Sequence, residues 1–161
     1  MRKSILLACL LAATSAAGLH ALVVRQAPDI RWVDSTGRAQ GLSAFRGQPV
    51  VLVVAPSPRS GAFRSQLRRI RSSYEKLAAQ KTVFLAAFTS EPGPVPSDIP
   101  FAVAADGGRV AADYSPEGAF AVAVIGRDGN LDYLTSKVLP GQRILDVVGN
   151  SFVTQERLRR P

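Results

Sequence analysis

The chain has 161 residues, 47% of them hydrophobic, and a formal net charge of +8. This is the length of one domain, with enough apolar surface for one sizeable core. A single cysteine and a single histidine leave little material for thiol or imidazole chemistry, and the basic balance favours anionic surfaces as partners.

The N-terminus stands apart. Met1-Arg2-Lys3 is a basic opening, and Ile5 to Val24 then runs without Asp, Glu, Lys or Arg. Small residues cluster at 12–17, and Ser15-Ala16-Ala17 fits a small-x-small cleavage site. Residues 1–21 therefore read as a secretory signal peptide, which places the protein in the periplasm or outside the cell. Two alternatives stay open. The apolar run is just long enough to anchor the chain in a bilayer. Leu6-Leu7-Ala8-Cys9 loosely imitates a lipoprotein box, although few apolar residues precede it. Both the cysteine, Cys9, and the histidine, His20, fall inside this leader, so the mature chain has neither.

Residues 22–150 then form the domain. Ile30 to Val33 alternates like a strand, 34–37 is a turn, and Arg38 to Gly41 returns. Leu42 to Gly47 reads as a helical turn closed by glycine. Val50 to Ala55 is a continuous apolar run, as in a central strand buried on both faces. A Pro/Ser turn follows. Phe63, Leu67, Ile70, Tyr74 and Leu77 then recur at helical spacing, which predicts one amphipathic helix with Arg64, Arg68 and Arg71 on a neighbouring stripe. Thr82 to Phe88 is the next buried strand, parallel to the first through a right-handed βαβ crossover.

Pro92, Pro94, Pro96 and Pro100 make 91–100 a surface loop. A short extended piece at 101–105, a turn at 106–108 and a brief helix at 110–114 follow. Phe120 to Ile125 and Leu131 to Leu134 form a hairpin about Gly126–Asn130. Pro140 opens a last helix that Gly149-Asn150 stops. Residues 151–161 are a basic tail.

Several stretches carry a resemblance. Ala27-Pro28-Asp29, Asp34…Gly37 and Leu42-Ser43…Phe45-Arg46-Gly47-Gln48-Pro49-Val50-Val51-Leu52 look like the opening of peroxiredoxins and exported thioredoxin-like reductases. Asp106-Gly107-Gly108…Ala112-Asp113-Tyr114 and Val124-Ile125-Gly126-Arg127-Asp128-Gly129 are similar to their second half. The Ala55-Pro56-Ser57 turn, Phe63…Gln66-Leu67 and Gly118…Phe120 onward also resemble the exported family called domain of unknown function 4174. The resemblance implies an α/β thioredoxin-like fold, a central mixed sheet with flanking helices.

It also implies a site that this chain lacks. The family's reactive cysteines would align near Arg59 and Ala62, and its cis-proline near Phe120. Thiol–disulfide exchange requires a thiolate, and none of these side chains supplies one. Without histidine there is no imidazole for acid–base or metal chemistry. The aspartates sit mostly beside glycines or in turns, where turn formation explains them. Ser57 and Ser60 have no base to activate them. The sequence implies no catalytic residue, no metal and no cofactor, and it argues against an enzyme.

What remains is an anion or ligand site at a helix N-terminus, formed by Ser57, Arg59, Ser60, Gly61, Arg64 and Arg68. The competing reading is that Ser57 or Ser60 merely caps the helix. The expected role is non-catalytic binding or scaffolding in the cell envelope, with an envelope protein or anionic ligand as partner. Export disfavours nucleic acid, and peripheral membrane association stays open. The alternatives are a redox-family protein that works with a partner's cysteine, and a structural envelope protein without a specific ligand.

Overall fold

The structure, a computed structural model, describes residues 25–115 and 118–150. The expected leader at 1–21 and the basic tail at 151–161 lie outside the described residues. In chain order the elements are β1 (Arg31–Val33), β2 (Ala39–Gly41), a 3₁₀ turn (Leu42–Phe45), β3 (Val50–Ala55), α1 (Gly61–Arg71), α2 (Tyr74–Ala79), β4 (Val83–Phe88), β5 (Phe101–Val103), α3 (Gly107–Tyr114), β6 (Ala121–Ile125), β7 (Leu131–Thr135) and α4 (Gly141–Gly149).

Five strands form one mixed sheet in the order β5-β4-β3-β6-β7. β3 pairs parallel with β4 and antiparallel with β6, so it is the centre. Every residue of β3 is buried, as a continuous apolar run predicts. Val51, Val53 and Ala55 face a core made with Phe63, Leu67 and Ile70 of α1, Leu77 of α2, and Ile144 and Val148 of α4. Val50, Leu52 and Val54 face a second core with Val110 and Tyr114 of α3 and with Ile30 and Trp32. The small β1–β2 ribbon closes that side, with Trp32 stacked on Phe45 at 4.6 Å between ring centroids. The Tyr114 hydroxyl donates to the Pro28 carbonyl at 2.6 Å, and burial raises its phenol above the ordinary range.

Two local expectations change. The single helix expected through Leu77 is broken into α1 and α2 at Ser72-Ser73. The Ser72 hydroxyl donates back to the Arg69 carbonyl at 2.8 Å, and the Ser73 amide bonds the Ile70 carbonyl three residues back. Serine side chains compete with the helical ladder in this way, and the apolar spacing continues across the break without revealing it. The helix expected at 110–114 begins earlier, at Gly107, because the Asp106 carboxylate accepts the Arg109 amide at 2.9 Å and caps it.

The β6–β7 hairpin turns as expected. Gly129 takes a φ of 85°, and the Asp128 carboxylate accepts the Asn130 amide at 3.0 Å. The Asp132 residue is exposed overall, but its carboxyl and that of Asp128 both lie against Gly126. Burial, and then the Asp128 charge, push the Asp132 carboxyl up to about 6 from the usual 3.8. Its ionised form is thus disfavoured in the folded state. Stability is fullest below the unfolded value and is lost as pH rises through about 6. Asp132→Asn should therefore stabilise the fold by ~1 kcal/mol near neutral pH, after discounting for screening at an exposed residue. The gain should shrink as pH falls below about 6 and vanish only below the unfolded value of 3.8, at roughly pH 3, where both states are protonated. Urea unfolding of the two proteins near pH 7 and at roughly pH 3 checks this, and a gain that does not depend on pH would contradict it.

Candidate functional site

β3 delivers the chain to the turn at 56–60, and α1 carries it away. The turn is stitched to the loop after β4. The Ala55 carbonyl accepts the Thr89 amide at 3.1 Å, and the Pro56 carbonyl accepts the amides of Ser90 at 3.0 Å and Glu91 at 3.1 Å. Proline supplies no donor of its own here, but its carbonyl anchors the neighbouring loop. The Ser57 carbonyl takes the Ser60 amide at 3.2 Å, which tightens the turn.

Ser60 is the N-cap of α1. Its hydroxyl accepts the Phe63 amide at 3.4 Å, and its carbonyl accepts the Arg64 amide at 3.0 Å. The capping expectation therefore holds for Ser60, and its side chain is engaged with its own helix. Gly61 and Ala62 head the helix with amides that make no hydrogen bond among the described residues. A Cβ at Gly61 would meet nothing within 4 Å, so this end of the helix is open to approach. The macrodipole adds partial positive charge there.

The arginines do not all gather at this end. Arg59 and Arg64 are exposed beside it. Arg68 lies about 12 Å further along the axis at 1.5 Å per residue, and its guanidinium donates to the Ser65 hydroxyl at 3.0 Å. Arg71 closes the far end and pairs with Asp98 at 2.9 Å. The Asp98 carboxyl is held below the usual range by its own backbone amide first and by Arg71 second. So the turn collects Ser57, Arg59, Ser60, Gly61 and Arg64, while Arg68 stands off and Arg71 is committed elsewhere.

One wall of the site is not apparent from the helix pattern. A groove of about 390 Å³ runs between Pro58 and Arg59 on one side and Glu91, Pro92, Pro94 and Pro96 on the other. Val95 packs against the α1-side core, and the alternate prolines stay exposed. The signal was the spacing 92, 94, 96, which sets three rings on one side of an extended segment. Phe120 stands just before β6, half-buried against the same core. Among the described residues, no group of His, Cys, Asp or Glu is placed to hold a metal, and no helix is long and apolar enough to cross a membrane.

Solved structures share this fold. A thiol:disulfide interchange protein DsbE from Chlorobium tepidum aligns over 84% of this chain and 95% of its own, with TM-score 0.60 and 19% identity. Peroxidoxin BcpB from Mycobacterium tuberculosis aligns over 77% and 94%, with TM-score 0.57 and 18% identity. The chain has the thioredoxin-like fold. A third structure, the exposed lipoprotein thioredoxin Etrx1 from Streptococcus pneumoniae, aligns over 74% and 96%, with TM-score 0.52 and 15% identity. No family model matches the chain, so the finer resemblance to domain of unknown function 4174 has no match behind it, and no curated protein matches either. In this thioredoxin-like fold the turn at 56–60 lies at the C-terminal end of the central parallel strand, where open α/β sheets bind ligands.

Proposed function

We propose that this is an exported thioredoxin-fold protein that binds a partner and performs no thiol chemistry of its own. Binding falls at the Ser57–Gly61 turn and the proline-walled groove beside it. Arg59 and Arg64 attract the partner's negative charge, and Arg68 extends that field along α1. The partner is an acidic segment of an envelope protein, or an anionic envelope ligand of the same chemistry. One observation carries this reading: residues 56–62 contain no cysteine, and the chain's only cysteine is Cys9, in the expected leader. Without a thiolate at this helix N-terminus, neither a disulfide nor a peroxide can be attacked from it. The leader's composition and the likeness to an exposed lipoprotein thioredoxin support export.

The test has two arms. Insulin-disulfide reduction and peroxide consumption should not exceed a protein-free blank with dithiothreitol present. Turnover above the blank would overturn this reading, whereas turnover that appears only when an envelope extract supplies thiol proteins would favour the second reading, a redox-family protein acting with a partner's thiol, which the DsbE likeness favours. In the other arm, a labelled glutamate-rich peptide should bind three- to tenfold more weakly to Arg59→Ala, as expected for an exposed charged contact of ~1 kcal/mol. Arg38→Ala removes the same charge from the exposed β1–β2 turn and should change little. Equal losses in the two variants would leave only a basic surface.

A further inference from the structure

β7 is the last strand of the five-stranded sheet, and the described chain begins on its outer edge. The Leu131 amide donates to the Arg25 carbonyl at 2.8 Å, and the Ala27 amide donates to the Gly129 carbonyl at 3.0 Å. Gln26 thereby lies opposite Asn130 in an antiparallel bridge. Beyond Leu131 this edge has no strand beside it among the described residues. An edge with open amides and carbonyls is a template for a further strand.

The registers tell which groups of β7 are open. The Val83 amide bonds the Pro49 carbonyl, and the Thr89 amide bonds the Ala55 carbonyl. Odd-numbered residues of β3 therefore turn their backbone groups to β4, and even-numbered ones turn theirs to β6. Val50, Leu52 and Val54 lie opposite Ile125, Ala123 and Ala121, which leaves Val122 and Val124 to face β7. Their partners are Thr135 and Tyr133, so Leu134 between them faces outward. Leu131 faces outward too, by its bond to Arg25. An unbroken strand would bring every second residue outward, but a bulge leaves Asp132 without a partner on β6 and resets the alternation. Leu134 is also 38% exposed, a large apolar side chain beside an open backbone.

The residues that precede Arg25 are Leu22, Val23 and Val24. Apolar and mostly β-branched, they suit a strand. Continued antiparallel from Arg25 opposite Leu131, with one residue of β7 skipped at the bulge, the register sets Val23 opposite Leu134. We propose that the outer edge of β7 takes residues 22–24 of the same chain as a sixth strand, with Val23 paired to Leu134. A second copy is the poorer occupant. Arg25 and Gln26 already take the start of the edge, and the bulge and exposed Asp132 interrupt what remains, as in edges protected against pairing between molecules. Thr135 is level with Val53 of β3 through Val122, so the chain before Leu22 then leaves towards the end of the sheet that carries the turn at 56–60. The sixth strand does not rest on the binding proposed at that turn.

Two measurements on the full chain test the pairing. In the first, Val23→Cys and Leu134→Cys are combined with Cys9→Ser, which removes the native thiol. Opposite residues of a hydrogen-bonded antiparallel pair stand about 5.5 Å apart between Cα atoms, within the reach of a disulfide. Mild oxidation should give a cross-link within one chain, read by intact mass after free thiols are blocked. Val24→Cys with Leu134→Cys, out of register and on the other face, should stay reduced. In the second, amide exchange of the unaltered chain is compared with that of a variant carrying Leu22→Gly, Val23→Ser and Val24→Gly. The Leu134 amide should exchange about tenfold faster in the variant, while amides in the centre of β3 keep their protection and show that the fold is intact. The proposal is overturned if the Val23–Leu134 pair stays reduced or cross-links only between two chains. It is equally overturned if the Val24 pair cross-links as readily, or if Leu134 exchanges alike in both proteins.

Discussion

Gly107→Ala should lower the stability of the fold by about 3 kcal/mol or more, which for a chain of this size is a fall of roughly 10 °C in melting temperature. Gly107 is buried at the first position of α3, where the helix meets the end of β4. A Cβ there would overlap the carbonyl oxygen of Phe88 and stand 2.5 Å from its carbonyl carbon. That neighbour is backbone in a central strand, so no rotamer change relieves the clash. Gly108, the next residue, is the control. Its Cβ would meet only the Asp106 carboxylate, at 3.5 Å, which is ordinary contact. Gly108→Ala should be neutral or stabilise by up to ~1 kcal/mol, since alanine is the better helix former. Thermal unfolding of the two variants should separate them widely. Similar melting temperatures would show that α3 can pull back from β4. The consequence reaches the groove as well. Phe88 precedes Thr89, Ser90 and Glu91, whose amides bond the carbonyls of Ala55 and Pro56. A displaced β4 end should weaken peptide binding at Arg59 even in molecules that remain folded.

The contrast between those two glycines shows what the sequence could say. The pair at 107–108 reads as a turn, and nothing in the letters tells which glycine touches a neighbouring backbone. The βαβ unit was legible because Val50–Ala55 and Val83–Phe88 are continuous apolar runs joined by a helical period. The hairpin was legible because Gly126-Arg127-Asp128-Gly129-Asn130 carries turn chemistry at fixed offsets. The break at Ser72-Ser73 was not, because the apolar positions keep their spacing through it. The strand–turn–helix site was legible for the same local reasons. Its second wall was not, since Pro92, Pro94 and Pro96 are brought to Arg59 by long-range contacts: the bonds of the Ala55 and Pro56 carbonyls to the loop and the packing of Val95 on the core. Nor does a stripe of arginines in the sequence distinguish Arg71, paired with Asp98, from exposed Arg64. Those distinctions depend on long-range contacts, which local periodicity does not encode.

Gln66→Ala should cost about 4 kcal/mol, through two separable causes. Position 66 falls with 63, 67 and 70 in the i, i+3, i+4, i+7 pattern, so its side chain faces the core despite being polar. It is fully buried. Its amide nitrogen donates to the Leu139 carbonyl at 3.0 Å, and the Leu139 amide donates to its oxygen at 2.7 Å. These two bonds tie α1 to the segment between β7 and α4. Removing the side chain leaves a buried backbone N–H and C=O without partners, at about 1–3 kcal/mol for each unsatisfied group, and it also opens a cavity. Gln66→Met fills most of the cavity but restores neither bond. It should therefore recover only ~1 kcal/mol of the loss. Amide hydrogen exchange gives an independent readout: the Leu139 N–H should lose protection in both variants, while amides in the centre of β3 keep theirs relative to global unfolding. If Gln66→Met were as stable as the parent chain, hydrophobic filling would be the function of this position and the two bonds would be incidental. If it stays close to Gln66→Ala, the polar clamp is what seats α4 against α1. A helix whose first residue, Gly141, already lies close against Ser73 and the Arg69 carbonyl then has no other buried polar tie at its start among the described residues.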